Sequence, residues 1–285
     1  MTERILSPIP RVVLDGVVRR ALDEDLSRGD LTTDATVPPS VGGSPVLRAR
    51  EPLVVAGLDV FDATFGWVDP RIEVEHHVAD GARVEANEVL ATVRGPANSI
   101  LKGERVALNF VQRMCGVATA TRELVDALPD GSGTRITDTR KTTPGLRALE
   151  RYAVRCGGGH NHREDLGAAV LIKDNHVAAC GSVKTAIERA RAHAPHTSKI
   201  ECEVDRMDQL REALEAGADI VMLDNFDDAT LKEAVAVVAG RAFVEVSGNV
   251  TLARVPVIAA AGVDAISVGR ITHSSRSMDL GLDWS

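Results

Sequence analysis

Apolar and polar positions alternate with different periods in the two halves of the chain. A helical period covers about residues 10 to 27 and includes Val13 and Leu22. Short β-like runs interrupted by Gly and Pro follow it: SPVLRAR, PLVVAGL, IEVEHHV, ARV and VLATVRG. They predict an antiparallel or mixed sheet. A long amphipathic helix is predicted next, from about residue 99 to 128, and the breaker PDGSG follows it.

In the second half of the chain, the apolar runs are spaced differently. Its strand-like runs are RITDT, AAVLIK, KIECEVD, DIVMLD, AFVEVS and AISVG. They recur at intervals of roughly 20 to 33 residues, the length of a βα unit. Helical patterns lie between them, including GLRALERYAV, SVKTAIERARAHA, MDQLREALEAG and ATLKEAVAVVAG. This alternation predicts a parallel sheet, either closed as a barrel or doubly wound.

Polar residues at the strand ends favour the barrel. Each apolar run ends in a polar group: Arg140 and Lys141, Lys173 to His176, Asp224 and Asn225, Ser247 to Asn249, then Gly269 and Arg270. A βα barrel gathers its site from the C-terminal ends of successive strands, whereas a doubly wound sheet uses one switch point. Six runs are fewer than the usual eight strands, so either the barrel is incomplete or the pattern misses some of its strands.

Composition restricts the function classes. The 285 residues are 44% apolar and 26% charged, as in ordinary globular proteins, and their net charge of -8 argues against general nucleic-acid binding. No apolar run approaches a membrane span, and the stretch MTERILSPIPRVV has no signal-peptide core. The four cysteines are scattered and form no CxxC pair, which is typical of reduced thiols. We therefore expect a cytoplasmic protein.

One basic stretch stands out in this acidic chain. RKTTPGLRALERYAVRCGGGHNHR, residues 140 to 163, has six Lys or Arg and one acid, Glu150. Its three central arginines recur every four residues on one helix, as on a solvated helix face; they are Arg147, Arg151 and Arg155. The others flank that helix, and the glycines before His162 allow the chain to turn back to the strand end: Arg140, Lys141, His162 and Arg163. Joined by Lys173, they predict a pocket for an anion of two or more charges.

Acidic residues follow the next strands. Glu201, Glu203 and Asp205 alternate along one side of a strand, and Asp224 ends the following strand. Glu203 and Asp224 suit Mg²⁺ held together with substrate phosphate oxygens. We expect Glu201 to have a structural role, paired with a Lys or Arg deeper in the barrel.

Two further patterns concern ligand binding. VEVSGNV and ISVGRITHS end strands with small residues before short helices, which suits a phosphate bound by backbone N–H groups, with His273 as a possible extra donor. The spacing Cys156-x-x-x-His160-x-His162 could bind zinc, but the neighbouring arginines disfavour a cation. No GxSxG elbow or P-loop occurs, so catalysis would depend on positioning and electrostatics.

These motifs together resemble a known family. The runs DTRKTTPGLRALERYAVRCGGGHNHR, LIKDNHV, ECEVD, MLDNF, VSGNV and GVDAISVGRITHS look like quinolinate phosphoribosyltransferase. ALDEDLSRGDLTTDATVP, VVAGLDV, VADGARV and ERVALNFVQRMCGVAT are similar to the N-terminal half of that family. The resemblance covers nearly the whole chain.

The resemblance implies an architecture. It is an α/β protein with an N-terminal α+β open-sandwich domain in residues 1–113 and an incomplete (β/α) barrel in residues 114–270. The tail, residues 271–285, would pack back on the N-terminal domain. The family also implies a homodimer with shared active sites, and higher assembly stays open. Arg105 would then serve the site of the other subunit.

The resemblance also implies a reaction. Quinolinate and phosphoribosyl pyrophosphate would give nicotinate mononucleotide, pyrophosphate and CO2, with Mg²⁺ as the one cofactor. Neither nucleic acid nor a membrane is implied as a partner. The catalytic residues would be Lys141, Glu203 and Asp224, the last two also holding Mg²⁺ directly or through water or substrate. The other substrate-binding residues would be Arg105, Thr139, Arg140, His162, Arg163, Lys173, Ser247, Gly248, Asn249, Val268, Gly269, Arg270 and His273.

Some residues depart from the family pattern, and rival functions remain. Asp165, Ala168, Asn249 and Arg270 replace the residues that are usual there, which affects loop geometry and phosphate contacts more than the reaction class. A Schiff-base lyase could use Lys173 at its strand end. A relative with another substrate, or a binder of phosphorylated metabolites without catalysis, would keep the same scaffold.

Overall fold

A computed structural model describes residues 6–284 of the protein. Residues 1–5 and Ser285 lie outside the described part, and so does the start of the stretch used to judge a signal peptide. Packing divides the chain into two compact units. The first comprises Met1–Arg122, Thr142–Gly158 and Arg270–Ser285, and the second comprises Glu123–Lys141 and Gly159–Gly269.

The secondary structure alternates as follows. The helices are α1 Arg11–Leu26, α2 Leu31–Thr36, α3 Leu58–Val68, α4 Ala97–Asp126, α5 Arg147–Cys156, α6 Asp174–Cys180, α7 Val183–His193, α8 Met207–Glu215, α9 Asp228–Val238, α10 Val255–Ala260 and α11 Arg270–His273. The strands are β1 Gly42–Gly43, β2 Val46–Ala49, β3 Leu53–Val54, β4 Glu73–His76, β5 Arg83–Val84, β6 Val89–Pro96, β7 Arg135–Thr137, β8 Val170–Ile172, β9 Ile200–Val204, β10 Ile220–Asp224, β11 Phe243–Ser247, β12 Ala265–Ser267 and β13 Leu280–Asp283.

The first unit is built on an antiparallel sheet. Its strands run in the order β1, β6, β2, β13, with β4 also pairing β6, and β3 pairs β5 in a separate ribbon. The buried core of this unit includes Phe61 and Phe65, whose rings meet edge to face with centroids 5.0 Å apart. The chain end returns to this sheet, since β13 pairs antiparallel with β2 from Leu280 opposite Ala49 to Asp283 opposite Val46.

The second unit contains a parallel sheet. Its six strands lie in the order β7, β12, β11, β10, β9, β8, and each neighbouring pair is parallel. Over residues 6–284, no ladder joins β7 to β8, so the sheet does not close. The predicted α/β class with an incomplete barrel and an N-terminal antiparallel sheet is confirmed. The six strand runs read from the sequence are the six strands of this sheet.

Several details differ from the sequence prediction. A boundary after residue 113 falls inside α4, which continues unbroken for 30 residues. The compact first unit reaches Arg122 and also takes in α5, which the sequence pattern had assigned to the barrel. The short helices α2 and α6 were not predicted, because elements of one or two turns carry little periodic signal. The hydrophobic helix α3 was missed as well, since apolar residues on most of its faces obscure its period.

Two observations concern the environment of the protein. In the described part of the chain, no helix combines the length and the apolarity needed to cross a bilayer. All four cysteines are free thiols, and three of them are buried.

Glycine 116 provides a test of packing in the first unit. A Cβ at Gly116 would overlap the carbonyl oxygen of Arg276, which is backbone and cannot rotate away. In α1, by contrast, a Cβ at Gly16 would meet nothing within 4 Å. Gly116→Ala should therefore lower the free energy of unfolding by about 1–3 kcal/mol despite the better helix propensity of Ala. Gly16→Ala, its matched control, should raise it by up to about 1 kcal/mol. Urea unfolding measures both, and equal effects of the two substitutions would contradict this packing.

Candidate active site

A cavity of about 360 Å³ opens in the second unit. Nine of the residues that line it were predicted as site residues: Thr139, Arg140, Lys141, His162, Arg163, Lys173, Glu203, Asp224 and Ser247. Four others were not predicted: Leu171, Met222, Glu245 and Ser267. All thirteen belong to the second unit.

The register of the parallel sheet explains how distant residues meet. Glu203 lies opposite Met222, and Met222 lies opposite Glu245 on the next strand. Asp224 likewise lies opposite Ser247. Partners in register share a face, and side chains alternate between faces along each strand. The polar ends of these strands therefore point into one cavity.

The segment with His162 is fixed beside β7. His160 forms a parallel bridge with Thr137, and its backbone N–H donates to the carbonyl of Ile136 at 2.7 Å. The carboxylate of Asp138, which is fully buried, accepts from the backbone N–H of His162 at 2.7 Å and from the Asn161 amide at 2.6 Å. These bonds hold His162 at the end of the strand, as the sequence predicted from the glycine turn.

The cations of the cavity crowd one another. Burial, followed by the neighbouring Arg140, lowers the pKa of the Arg163 guanidinium. One guanidinium N–H of Arg163 donates to the carbonyl of Ala169 at 2.9 Å. The Nε of Arg140 is buried and has no hydrogen-bond partner. A buried donor without an acceptor is costly, and like charges repel, so this corner of the cavity is suited to an anion.

The predicted acids are also in the cavity. The ammonium of Lys173 forms a close ion pair with the Glu203 carboxylate. Burial, and next the nearby charge of Glu203, raises the pKa of Asp224, while Lys173 and Lys141 oppose this rise. Two carboxylates at neighbouring strand ends have the oxygen donors that Mg²⁺ prefers together with substrate phosphates. Glu203 and Asp224 therefore fit the proposed metal chemistry.

One partly buried histidine and two buried carboxyl groups form what we call the acid triad: His162, Glu201 and Glu245. The Nε2 of His162 lies 3.3 Å from Glu201 and 3.4 Å from Glu245. Burial alone would lower the pKa of His162, but these carboxylates raise it to about 10. Burial also raises the pKa of Glu201. These shifts belong to the coupled groups together rather than to either residue alone.

The triad corrects the sequence analysis. Glu201 pairs with His162 rather than with a Lys or Arg, and its structural role stays a prediction. The backbone N–H of Arg163 donates to Nδ1 of the His162 ring at 2.7 Å. Both ring nitrogens thus contact the protein itself, and the ring proton on Nε2 faces the two carboxylates.

The triad is also the one group of three potential metal ligands found among residues 6–284. Its ligand atoms lie within 4.8 Å of one another. A proton on Nε2 already links these atoms, and the surrounding arginines repel a cation. The zinc pattern of the sequence is also disfavoured, because burial raises the pKa of the Cys156 thiol and so opposes the thiolate that would bind a metal.

The predicted phosphate loop after β11 contains residues whose backbone has a left-handed conformation. Gly248 has φ of 82°, and a Cβ there would overlap the amide of Asn225. Asn249 donates its amide to Asn225 at 2.9 Å, and Asn225 donates to Asp224 at 2.6 Å. Asn249 thus belongs to a chain of hydrogen bonds that orients Asp224. Its predicted contact with phosphate stays a prediction.

Other predicted residues lie elsewhere. Val268 is buried and donates its N–H to the Thr137 carbonyl at 3.0 Å, and Gly269 follows it at the end of the second unit. Arg105, Arg270 and His273 belong to the first unit and are exposed. The basic helix α5 also belongs there: Arg155 donates to the Ser7 carbonyl at 2.8 Å, and Arg147 donates to Thr142 at 3.0 Å. Glu150 is buried in an ion pair with Arg113.

Comparison with known proteins identifies the family. The model of the quinolinate phosphoribosyl transferase C-terminal domain matches residues 117–283, and that of the N-terminal domain matches residues 30–115. The chain belongs to the quinolinate phosphoribosyltransferase family. A nicotinate-nucleotide pyrophosphorylase [carboxylating] of Mycobacterium leprae is 46% identical over 93% of this chain and 95% of its own. A probable enzyme of the same name from Bacillus subtilis is 42% identical over 91% and 89%. The nicotinate-nucleotide pyrophosphorylase structure from Francisella tularensis superposes with a TM-score of 0.93 at 36% identity over the full length of both chains.

Glu245 was the main residue of this site that sequence reasoning missed. In AFVEVS a glutamate alternates with valines, so it shares a strand face with Ser247. The same period-two argument that selected Glu201 and Glu203 could have selected it. Leu171, Met222 and Ser267 gave no such signal, because their residue types are ordinary in buried strands.

The acid triad predicts pH-dependent stability. His162 would ordinarily titrate near 6.5, and in the folded protein its pKa is about 10. The folded state therefore binds the proton more tightly, and this stabilisation is complete below the ordinary pKa and disappears as pH rises through the folded pKa. Glu245→Gln removes one carboxylate and lowers the folded pKa. The unfolding free energy of wild type minus that of the variant should fall as pH rises across this window.

Urea unfolding at a series of pH values measures this difference. Asp205→Asn is a matched control, because Asp205 is exposed just beyond β9 and pairs with Arg206 at the surface. A Glu245→Gln difference that is as independent of pH as the control difference would refute the raised pKa of His162.

Proposed function

We propose that this protein transfers the phosphoribosyl group of phosphoribosyl pyrophosphate to quinolinate with loss of CO2, giving nicotinate mononucleotide and pyrophosphate. The observation that supports this most directly is the crowding of Arg140 and Arg163, with the buried Arg140 Nε lacking an acceptor. Quinolinate carries two carboxylates on one pyridine ring and can satisfy both guanidinium groups. The family description names quinolinate, and the Mycobacterium leprae relative is named for the carboxylating reverse reaction.

The cavity would bind the dianion through its cations. Arg140, Arg163 and Lys173 would contact the two carboxylates, each charge-assisted hydrogen bond contributing about 1.5–3 kcal/mol. Leu171 and Met222 supply apolar surface in the same cavity, which suits the faces of the pyridine ring. Thr139, Lys141 and Ser247 would face the sugar and phosphates, with Gly248, Asn249, Val268, Gly269, Arg270 and His273 as further proposed contacts.

The first chemical step breaks the bond from ribose to pyrophosphate. Lys141 would receive negative charge that develops on the leaving group, while Glu203 and Asp224 would stabilise the positive charge on the ribosyl centre. Glu203 and Asp224 are also the residues that would hold Mg²⁺, directly or through water or substrate. When bound, the ion would neutralise charge on the pyrophosphate.

The second step uses the substrate itself. The pyridine nitrogen attacks the ribosyl centre, so the ring becomes a pyridinium. Its positive charge stabilises the electron pair left on the ring carbon when the adjacent carboxylate departs as CO2, and a proton from solvent then bonds to that carbon. The ring is its own electron sink, and the protein contributes orientation and charge.

Assembly and location complete the proposal. Arg105 is exposed on α4, which suits a residue that completes the site of a partner subunit in a homodimer. Assembly beyond a dimer stays open. We propose a cytoplasmic location and small-molecule substrates, since the acidic net charge does not favour nucleic acid.

The rival functions are less consistent with the site. A Schiff-base lyase needs Lys173 as a neutral amine, whereas its ammonium is paired with Glu203. A relative with another substrate would need a different anion, and the substrate comparison below separates it from quinolinate transfer. A binder without catalysis would not need Glu203 and Asp224 together in the cavity.

An activity assay tests the proposal. Protein, Mg²⁺, phosphoribosyl pyrophosphate and quinolinate should yield CO2 and nicotinate mononucleotide in equal amounts, measured by trapped CO2 and mass spectrometry. Omission of either substrate should abolish both products. Turnover of nicotinate in preference to quinolinate would show that the substrate assignment is wrong. Borohydride trapping of substrate on Lys173 would support the lyase instead.

Mixed dimers test the shared site. Arg105→Ala and Arg140→Ala should each lose most activity, because each removes a cation from every site. Mixed subunits that exchange freely should recover about a quarter of wild-type activity, since half of the dimers are hybrids with one intact site. The exposed Arg206→Ala protein mixed with Arg140→Ala is the control for simple dilution. Absence of recovery in hybrids that are shown to form would exclude a shared site.

A further inference from the structure

Asp138 is a fully buried carboxylate that the proposed mechanism does not use. It directly precedes Thr139 and Arg140, which line the cavity. Since its own side chain has no exposed surface, it is not placed to meet a substrate. Burial of a carboxylate is costly unless hydrogen-bond donors surround it, so the bonds that Asp138 accepts have to compensate for its position.

The two oxygens of Asp138 bind two different groups of one neighbouring segment. Oδ1 accepts from the backbone N–H of His162 at 2.7 Å, and Oδ2 accepts from the side-chain amide of Asn161 at 2.6 Å. The backbone N–H of Asp138 donates to the carbonyl of His160 at 3.1 Å. Asp138 therefore holds three consecutive residues of this segment.

The strand and the segment carry different cations of the cavity. β7 is the outermost strand at one side of its sheet, and the segment lies along it through the bridge between Thr137 and His160. Arg140 follows β7 in the chain, and Arg163 follows the segment. The bonds to Asp138 thus join the part of the chain that carries one arginine to the part that carries the other.

A carboxylate is the group that suits this junction. It has two oxygens without hydrogen, so each can accept one of the two donors, and bonds to a charged acceptor are roughly twice as strong as bonds between neutral groups. An asparagine of the same shape has a single acceptor oxygen, and its NH2 group would face one of the donors. The charge at position 138 therefore allows both bonds to form together.

We propose that Asp138, together with Asn161, is a positioning residue that fixes the spacing of Arg140 and Arg163 and so gives the site its preference for a dianion over a monoanion. This inference rests on the proposed function and concerns how quinolinate is selected. Quinolinate bears two carboxylates on adjacent ring carbons, so it needs cations from both parts of the chain at a fixed separation. Nicotinate has one carboxylate and needs the cations of one part.

Asp138→Asn tests this role, because the shape is kept and one acceptor oxygen is lost. Calorimetric titration of quinolinate and of nicotinate gives the ratio of their affinities, and thermal unfolding establishes that the variant is folded. The ratio, about 10-fold or more in wild type, should fall to about 3-fold or less, because the dianion loses a contact that the monoanion does not need. A ratio equal to that of wild type, or an equal loss of affinity for both ligands, would overturn the role of Asp138.

A reciprocal exchange separates positioning from a loss of the carboxylate as such. In the double variant Asp138→Asn with Asn161→Asp, the amide now at 138 can accept from the His162 N–H and donate to the carboxylate now at 161. Both bonds are then restored with the donor and acceptor of one bond reversed. The ratio should return to within about 3-fold of wild type, a coupling that two independent sites would not show. A double variant as unselective as Asp138→Asn would oppose the proposal.

Asp219→Asn is the matched control. Asp219 also accepts from one backbone N–H, that of Ile200 at 2.8 Å, and from one side chain, that of Arg191 at 3.0 Å. It directly precedes β10, whereas the cavity is lined by Asp224 at the other end of that strand. The control should be less stable than wild type and keep the wild-type ratio. A ratio that falls as far as in Asp138→Asn would show that the effect is general destabilisation.

The outcomes also separate this inference from the proposed function. Wild-type protein that forms no nicotinate mononucleotide from quinolinate would overturn the proposed function and this inference with it. Turnover by wild type with an unchanged ratio in folded Asp138→Asn would overturn the positioning role alone. Should that variant not fold, Asn161→Ala decides, because it removes one donor and keeps the His162 bond: the ratio should fall about 3-fold or more, and an unchanged ratio would overturn the role.

Discussion

Repulsion between two partly buried guanidinium groups is the constraint on which the rest of the site depends. Arg140 and Arg163 lie on opposite sides of the basic helix in the sequence. In the fold, burial and then the neighbouring charge of Arg140 lower the pKa of Arg163. A folded protein retains such an arrangement at a cost to its stability. The cost is offset when a dianion enters, which is why the cluster indicates a ligand rather than a structural ion pair.

Acidic side chains stabilise the cluster of cations in the absence of ligand. Lys173 is paired with Glu203, and His162 is clamped between Glu201 and Glu245. The parallel register of β9, β10 and β11 places these acids on the inner face, beneath cations carried by the loops. The sheet thus supplies negative charge in fixed positions, and the loops supply positive charge that can meet the substrate.

The sequence predicted the fold well where periods were long and regular. The six parallel strands and α4 followed from alternation and helical spacing, and polar strand ends indicated the cavity. It could not give the pairing of Glu201 with His162, because that contact depends on the bridge between Thr137 and His160. Nor could it show that α5 packs with the first unit, since its own pattern gives a buried face without naming a partner. The proposed role of Arg105 came from family resemblance alone, because its position on α4 gives no sign of a site in another subunit.

Equilibrium binding measures the central claim most directly, because it isolates charge recognition from turnover. Calorimetric titration of quinolinate and of nicotinate, without the second substrate, compares a dianion with a monoanion on the same ring. Quinolinate should bind more tightly by about 10-fold or more, since one charge-assisted contact contributes about 1.5–3 kcal/mol. Added salt should weaken quinolinate binding more than nicotinate binding. Equal affinities, or tighter binding of nicotinate, would contradict a cavity built for two carboxylates.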